Sequence, residues 1–191
     1  LMRSSAASDV YKRQQEYNML RISSQIAAED YIDIRFRLPS GLDYIVVSKK
    51  KVEIPQIDGV DSANTIWLQL TEDEILAMSN AIVENYLIEG SVLYTAKYVE
   101  PGTQEKAIPT YVPSAEVQSL MRDNDSNIVN TAKMALLTRY NSNTSVRDNI
   151  NSSKNSVDVD DATSNISSGV KQEVSTAQEQ RQDYLDALSG N

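Results

Sequence analysis

The sequence predicts an α+β fold: a small, mostly antiparallel sheet with a capped helix packed on it, followed by further helices and a flexible C-terminal tail. Three observations carry this. Tyr31 to Leu38 alternates apolar and polar residues with period two, Thr71-Glu72-Asp73-Glu74 is a capping box, and the residues after it repeat apolar side chains at helical spacing.

In the first of these segments Ile32, Ile34, Phe36 and Leu38 share one face and Asp33, Arg35 and Arg37 the other, as in a half-buried strand. Pro39-Ser40-Gly41 supplies a turn, and Leu42 to Ile54, rich in Ile and Val, returns as the second strand of a hairpin. After a loop from Pro55 to Asn64, Thr65 to Leu70 reads as a third strand. Thr71 then caps a helix with Glu74 reaching back, and the acidic first turn suits the positive end of the helix dipole. Ile75, Met78, Ile82, Tyr86 and Leu87 are its expected apolar positions, and Gly90 its stop. Ser91 to Val99 alternates again and ends at Pro101-Gly102.

Residues 15–102 thus form the body, with only mixed helical character before Ala28. Residues 103–140 are expected to be an extended arm carrying two prolines, a short helix capped by Ser114, and a longer one capped by Asp125 or Ser126 with Ile128, Ala132, Leu136 and Tyr140 four apart. From Asn141 to Ser168 the composition turns to Asn, Ser, Asp and Thr with isolated aliphatics, which predicts a flexible linker. Residues 169–191 predict a terminal helix whose narrow apolar seam is Val170, Val174, Ala177, Tyr184 and Leu188, with Arg181 interrupting it.

Composition excludes several chemistries. The 191 residues include no Cys and no His, which removes thiolate nucleophiles, imidazole bases and nearly all zinc or transition-metal sites. With 18 Lys and Arg against 27 Asp and Glu, the net charge of −9 opposes binding to phosphate backbones or anionic lipid. The longest apolar runs, such as Tyr44 to Val47, are far too short to span a bilayer. Phosphate loops, dinucleotide fingerprints and nucleophile elbows are missing from the sequence.

The remaining clusters each have a plain reading. Asp158-Val159-Asp160-Asp161 suggests calcium, but the position that should close the loop is Gly169, so these acids are expected to be solvated linker and no metal or cofactor is assigned. Lys49-Lys50-Lys51 is expected to blunt an edge strand. Glu72 with Asp73, and Glu84 with Glu89, are read as carboxylates on exposed helix faces, and no catalytic residue is assigned. Tyr86, Tyr94, Tyr98 and Tyr111 bracket the helix, the last strand and the arm. Together with the seam they form the candidate protein interface.

Two resemblances complete the reading. Arg3 to Gln14 resembles translated sequencing-adapter read-through of the kind found in metagenomic assemblies, so residues 1–14 are expected to lie outside the fold. The block from Trp67 to Ile75, through Ala81 to Tyr86, to Tyr98 to Gln104 resembles virion structural proteins of tailed bacteriophages. That resemblance implies a non-enzymatic structural or assembly protein of the virion, made in the host cytoplasm, in the neck or head-to-tail region. Its implied partners are other virion proteins and copies of itself, with no nucleic acid, membrane or small-molecule substrate. An intracellular protein-binding adaptor module is the alternative, and a carboxylate-dependent hydrolase a second.

Overall fold

The computed structural model describes residues 12–123, 130–155 and 159–189. The fold is α+β, as the sequence predicts. Five antiparallel strands form the main sheet: β1 (Arg13–Tyr17), β2 (Tyr31–Arg37), β3 (Asp43–Glu53), β6 (Ile66–Leu70) and β7 (Val92–Lys97), in the spatial order β1-β6-β3-β2-β7. A two-stranded ribbon, β4 (Gln56–Ile57) with β5 (Val60–Asp61), rises from the loop before β6. The helix α1 (Glu72–Leu87) joins β6 to β7 across the sheet. It is followed by α2 (Ala115–Asp123), α3 (Asn130–Ser142), α4 (Thr144–Asn155) and α5 (Val159–Ser189).

The alternation in β2 becomes burial: Ile32, Ile34 and Phe36 are fully enclosed, and Leu38 nearly so. Val46, Val47 and Val52 of β3, Ile66, Leu68 and Leu70 of β6, and Leu93 of β7 join them in one core. At about 25 cal/mol per Å² of apolar surface, this cluster is the main source of stability. The capping box of α1 forms as expected, with Glu74 Oε2 accepting from the Thr71 N–H at 3.0 Å and the Thr71 hydroxyl donating to Asp73. Gly90 follows the helix with φ of +77°, which suits a residue without Cβ. The most deeply buried stripe of α1 is Ala77, Met78, Ala81 and Glu84. Ile75, Ile82 and Leu87 of the expected stripe are half-buried at its flank.

Four expectations need correction. Arg13 and Gln14 are not outside the fold, because both pair with β6, opposite Leu70 and Gln69. The segment before Ala28 holds β1 and a loop rather than a helix, and Arg21 bridges the outer edge of β7 at Tyr94. The region 141–168 is not a linker in its described parts: α4 lies within it, with Ile150 fully buried, and α5 begins at Val159 rather than near residue 169. The Lys49–Lys51 run does not blunt an edge, because β3 pairs with both β2 and β6. The caps expected at Asp125 or Ser126, and Ile128, lie outside the described residues, as does the side chain of Ala132, while Leu137 and Tyr140 of α3 are buried.

The lysines fit inside the sheet because each has a partner. Lys50 donates to Glu74 at 2.5 Å, and burial holds its ammonium below the usual lysine range against the pull of that carboxylate. Lys51 pairs with Glu29. Lys49 donates to the Gln104 carbonyl at 2.6 Å and lies over the Tyr98 ring.

Between Ile32 and Ile34 the pairing of β2 with β3 shifts register, so Ser48 and Lys49 both oppose Asp33. Such a bulge leaves an N–H without its ladder partner and bends the strand, here with φ of +48° at Lys49. Asp33, itself buried, supplies the missing acceptor: its Oδ1 takes the Lys49 N–H at 2.9 Å and the Ser48 hydroxyl at 2.7 Å. With the Ser48 proton committed there, Tyr98 must be the donor across its 3.0 Å contact with Ser48, and its own oxygen accepts from the Ala107 N–H. A single buried carboxylate therefore orients a chain of bonds from the sheet to the start of the arm. Asp33→Ala strips the acceptor from both donors and is expected to cost about 1–3 kcal/mol in denaturant unfolding; a loss under about 0.5 kcal/mol would mean the bulge does not depend on it.

Candidate functional site

Of the residues expected to form an interface, the seven whose side chains are described do not gather in one place. Tyr111 is buried, its ring edge-on to Phe36 at 6.0 Å. Tyr98 spends its hydroxyl on Ser48 and Ala107. Tyr94 donates to Asp43, the carboxylate that also holds Arg35, and Arg37 lies over its ring. Tyr86 donates to Glu173 of α5, and burial next to that carboxylate pushes its pKa up to about 12. These tyrosines fasten the chain to itself. In the seam, Val170 and Val174 are exposed and Ala177 is half-buried, while the side chains of Tyr184 and Leu188 lie outside those described.

What the structure does bring together is a group of residues that sequence reasoning assigned to separate roles or passed over. Glu84, read from the sequence as a carboxylate on an exposed helix face, has no exposed surface at all. Its Oε1 accepts from Arg147 at 2.5 Å and from Lys154 at 2.6 Å, and its Oε2 from the Tyr111 hydroxyl at 2.6 Å. The same Arg147 donates to the Val112 carbonyl and to Asn151. Asn80, one turn before Glu84, takes the Ser114 N–H at 2.7 Å at the start of α2 and lies 3.0 Å from the Tyr111 hydroxyl. One cluster thus joins α1, the arm and α4.

The placement follows from local sequence. Glu84 lies three residues beyond Ala81 and seven beyond Ala77, on the inward stripe of α1. Arg147, Ile150, Asn151 and Lys154 recur at spacings of three and four, so one face of α4 presents two cations around an apolar residue. Tyr111 reaches the cluster because the arm lies on β3, its N–H and that of Thr110 both donating to the Ile45 carbonyl at 2.9 Å. The helical spacing of Glu84 with the two alanines is the signal that marks it as buried in the sequence.

A carboxylate removed from water costs several kcal/mol unless it is paired and hydrogen-bonded. Here both oxygens are hydrogen-bonded, Oε1 to the two cations and Oε2 to the tyrosine. Tyr111 stays protonated well above the ordinary tyrosine range, first through burial and then through the charge of Glu84. With no exposed surface and partners from the arm and from α4, the Glu84 carboxylate acts as a clamp that holds both against α1.

Two other carboxylates of α1 are engaged as well, while Glu89 is exposed beyond its end. Glu72 pairs with Arg13 at 3.1 Å, and Asp73 accepts from Thr71. Asp160 and Asp161 occupy the exposed first turn of α5, where they meet the positive end of its dipole, and Asp158 lies outside the described residues. Among the described residues no group of three acidic side chains is placed to hold a metal ion, and no helix is long and apolar enough to cross a membrane.

Apolar surface is left in separate places. Val60 on the ribbon is 69 % exposed, Val99 after β7 is 83 % exposed and Ile108 in the arm 69 %. A groove of about 480 Å³ runs between α5 and the sheet, walled by Trp67, Pro55, Gln56 and Ala177.

The clamp predicts an asymmetry. Glu84→Gln leaves two cations without their carboxylate and should cost about 3–5 kcal/mol in unfolding free energy. Lys154→Met leaves Glu84 still paired with Arg147 and should cost about 1 kcal/mol. Equal losses in denaturant titrations of the two variants would contradict the clamp. No family model, no curated protein and no solved structure matches the chain.

Proposed function

We propose that this chain is a structural and assembly protein of a tailed-phage virion, used in several copies and placed in the neck or head-to-tail region. The reading rests on the resemblance of residues 67–75, 81–86 and 98–104 to such proteins. It is supported by one feature of the surface: apolar side chains stand out on the ribbon, on the turn after β7, on the arm and on α5, rather than around one pocket. A body that meets several neighbours at once needs spots of this kind, each small enough to keep the free subunit dispersed. The buried clamp at Glu84, tied to two cations and a tyrosine, favours a holding role over a reacting one. The net charge of −9 directs the partners toward protein and away from nucleic acid.

The test is the mass of the full chain in solution, by light scattering after chromatography, next to a variant carrying Val60→Asp, Val99→Asp and Ile108→Asp. The expected result is a discrete oligomer, seen as closed rings in electron micrographs, that falls to monomers in the variant with no change in melting temperature. A monomer at every concentration for both proteins would overturn assembly and favour an adaptor that binds one partner.

A further inference from the structure

The longest helix among the described residues lies along α1 and reaches β4 without entering the core. Among the described residues α5 contributes nothing to the hydrophobic core, although it runs for 31 residues, or about 46 Å at 1.5 Å per residue. Apart from the approach of Gly169 to the Tyr86 ring and of Ala177 to the groove, it is attached to the body by hydrogen bonds. Asn18 donates to the Glu173 carbonyl at 3.4 Å and Tyr86 to the Glu173 carboxylate at 3.2 Å. Thr65 donates to Gln180 at 2.7 Å, and Gln180 to Asn64 at 2.9 Å. All four bonds are exposed or only partly buried, so water replaces them at little cost.

The docked side and the apolar side of α5 also differ. Gly169, Glu173 and Gln180 face the body, whereas Val170 and Val174 lie roughly a quarter of the circumference away at 3.6 residues per turn and are exposed. A helix integral to a domain buries its apolar stripe. This one docks through its polar flank.

Close approach is permitted by a single residue. A Cβ added at Gly169 would fall 2.6 Å from Tyr86 Cδ1 and closer still to Cε1, so only glycine lets the helix lie against that ring. Glycine in the interior of a helix weakens it relative to alanine, and the contact with Tyr86 is what that weakness permits.

We propose that α5 is a releasable strap: it lifts away from Tyr86 and Trp67 while the sheet, α1 and α4 remain folded, and its release uncovers the apolar groove that Trp67 lines. The contrast with α4 is internal to the chain. Arg147 and Lys154 anchor α4 to a carboxylate with no exposure, and no comparable buried charge among the described residues anchors α5.

The molecule carries its own reporters. Trp67 is the single tryptophan and sits in the groove walled by Ala177, Gln180 and Arg181. Trypsin can cut after Lys171 and Arg181 in α5, or after Arg147 and Lys154 in α4. In the full chain, cleavage in α5 is expected to precede cleavage in α4. Gly169→Ala should then red-shift Trp67 emission and speed cleavage after Lys171 and Arg181 about tenfold, with Arg147 and Lys154 still protected and the melting of the body unchanged. On helix propensity alone the same substitution would slow cleavage, so the sign decides. Unchanged or slower cleavage in α5, or loss of protection in α4 together with α5, would overturn the proposal, as would a variant that fails to fold.

Discussion

A carboxylate with no contact with water sits at the centre of this molecule, and much of the chain is arranged to keep it satisfied. Glu84 lies on α1, while its cations come from residues 63 and 70 positions later in α4. The energetic consequence is one-sided. The pair adds little to stability compared with apolar residues of the same size, yet an arrangement that leaves Glu84 without Arg147 is heavily penalised. A misdocked α4 is therefore excluded by charge, where apolar contacts alone would tolerate a shift of register. Tyr111 extends the same control to the arm.

The arm is fastened at both ends by polar groups rather than by apolar packing alone. At its start the Ala107 N–H donates to Tyr98, which leads through Ser48 to Asp33; near its end Tyr111 donates to Glu84. Two buried acids, one in the sheet and one in the helix, thus fix the path of a segment whose prolines keep it out of the ladder. Lys50 and Glu74 make a third such link, which ties the middle of β3 to the first turn of α1. Sheet, helix and arm are held in one relation, and the apolar spots on the outside are held in one relation with them.

How much of this was legible in the sequence depends on the kind of burial involved. The alternation of Ile32, Ile34, Phe36 and Leu38 and the box at Thr71 and Glu74 were readable because they are local patterns with fixed periods. The burial of Glu84 was not read, because a Glu on a helix is usually solvated and the acceptor's partners lie far along the chain. Region 141–168 looked like a linker because composition counts apolar residues, whereas α4 is held as much by Arg147 and Lys154 as by Ile150. The lysine run suggested an edge because nothing in its own neighbourhood shows Glu74, Glu29 and Gln104 waiting for it. Gly169 carried no pattern at all: its reason is an aromatic ring 83 residues earlier.

The measurement that bears most directly on this account is native-state hydrogen exchange of the unmodified protein, compared between α4 around Ile150 and the centre of β3 around Val47. If Glu84 clamps the C-terminal half to the body, the most protected amides of α4 open only with global unfolding and give the same free energy as those of β3. Amides of α4 that exchange through a local opening, several kcal/mol below the value for β3, would show that the helix is not held by the clamp.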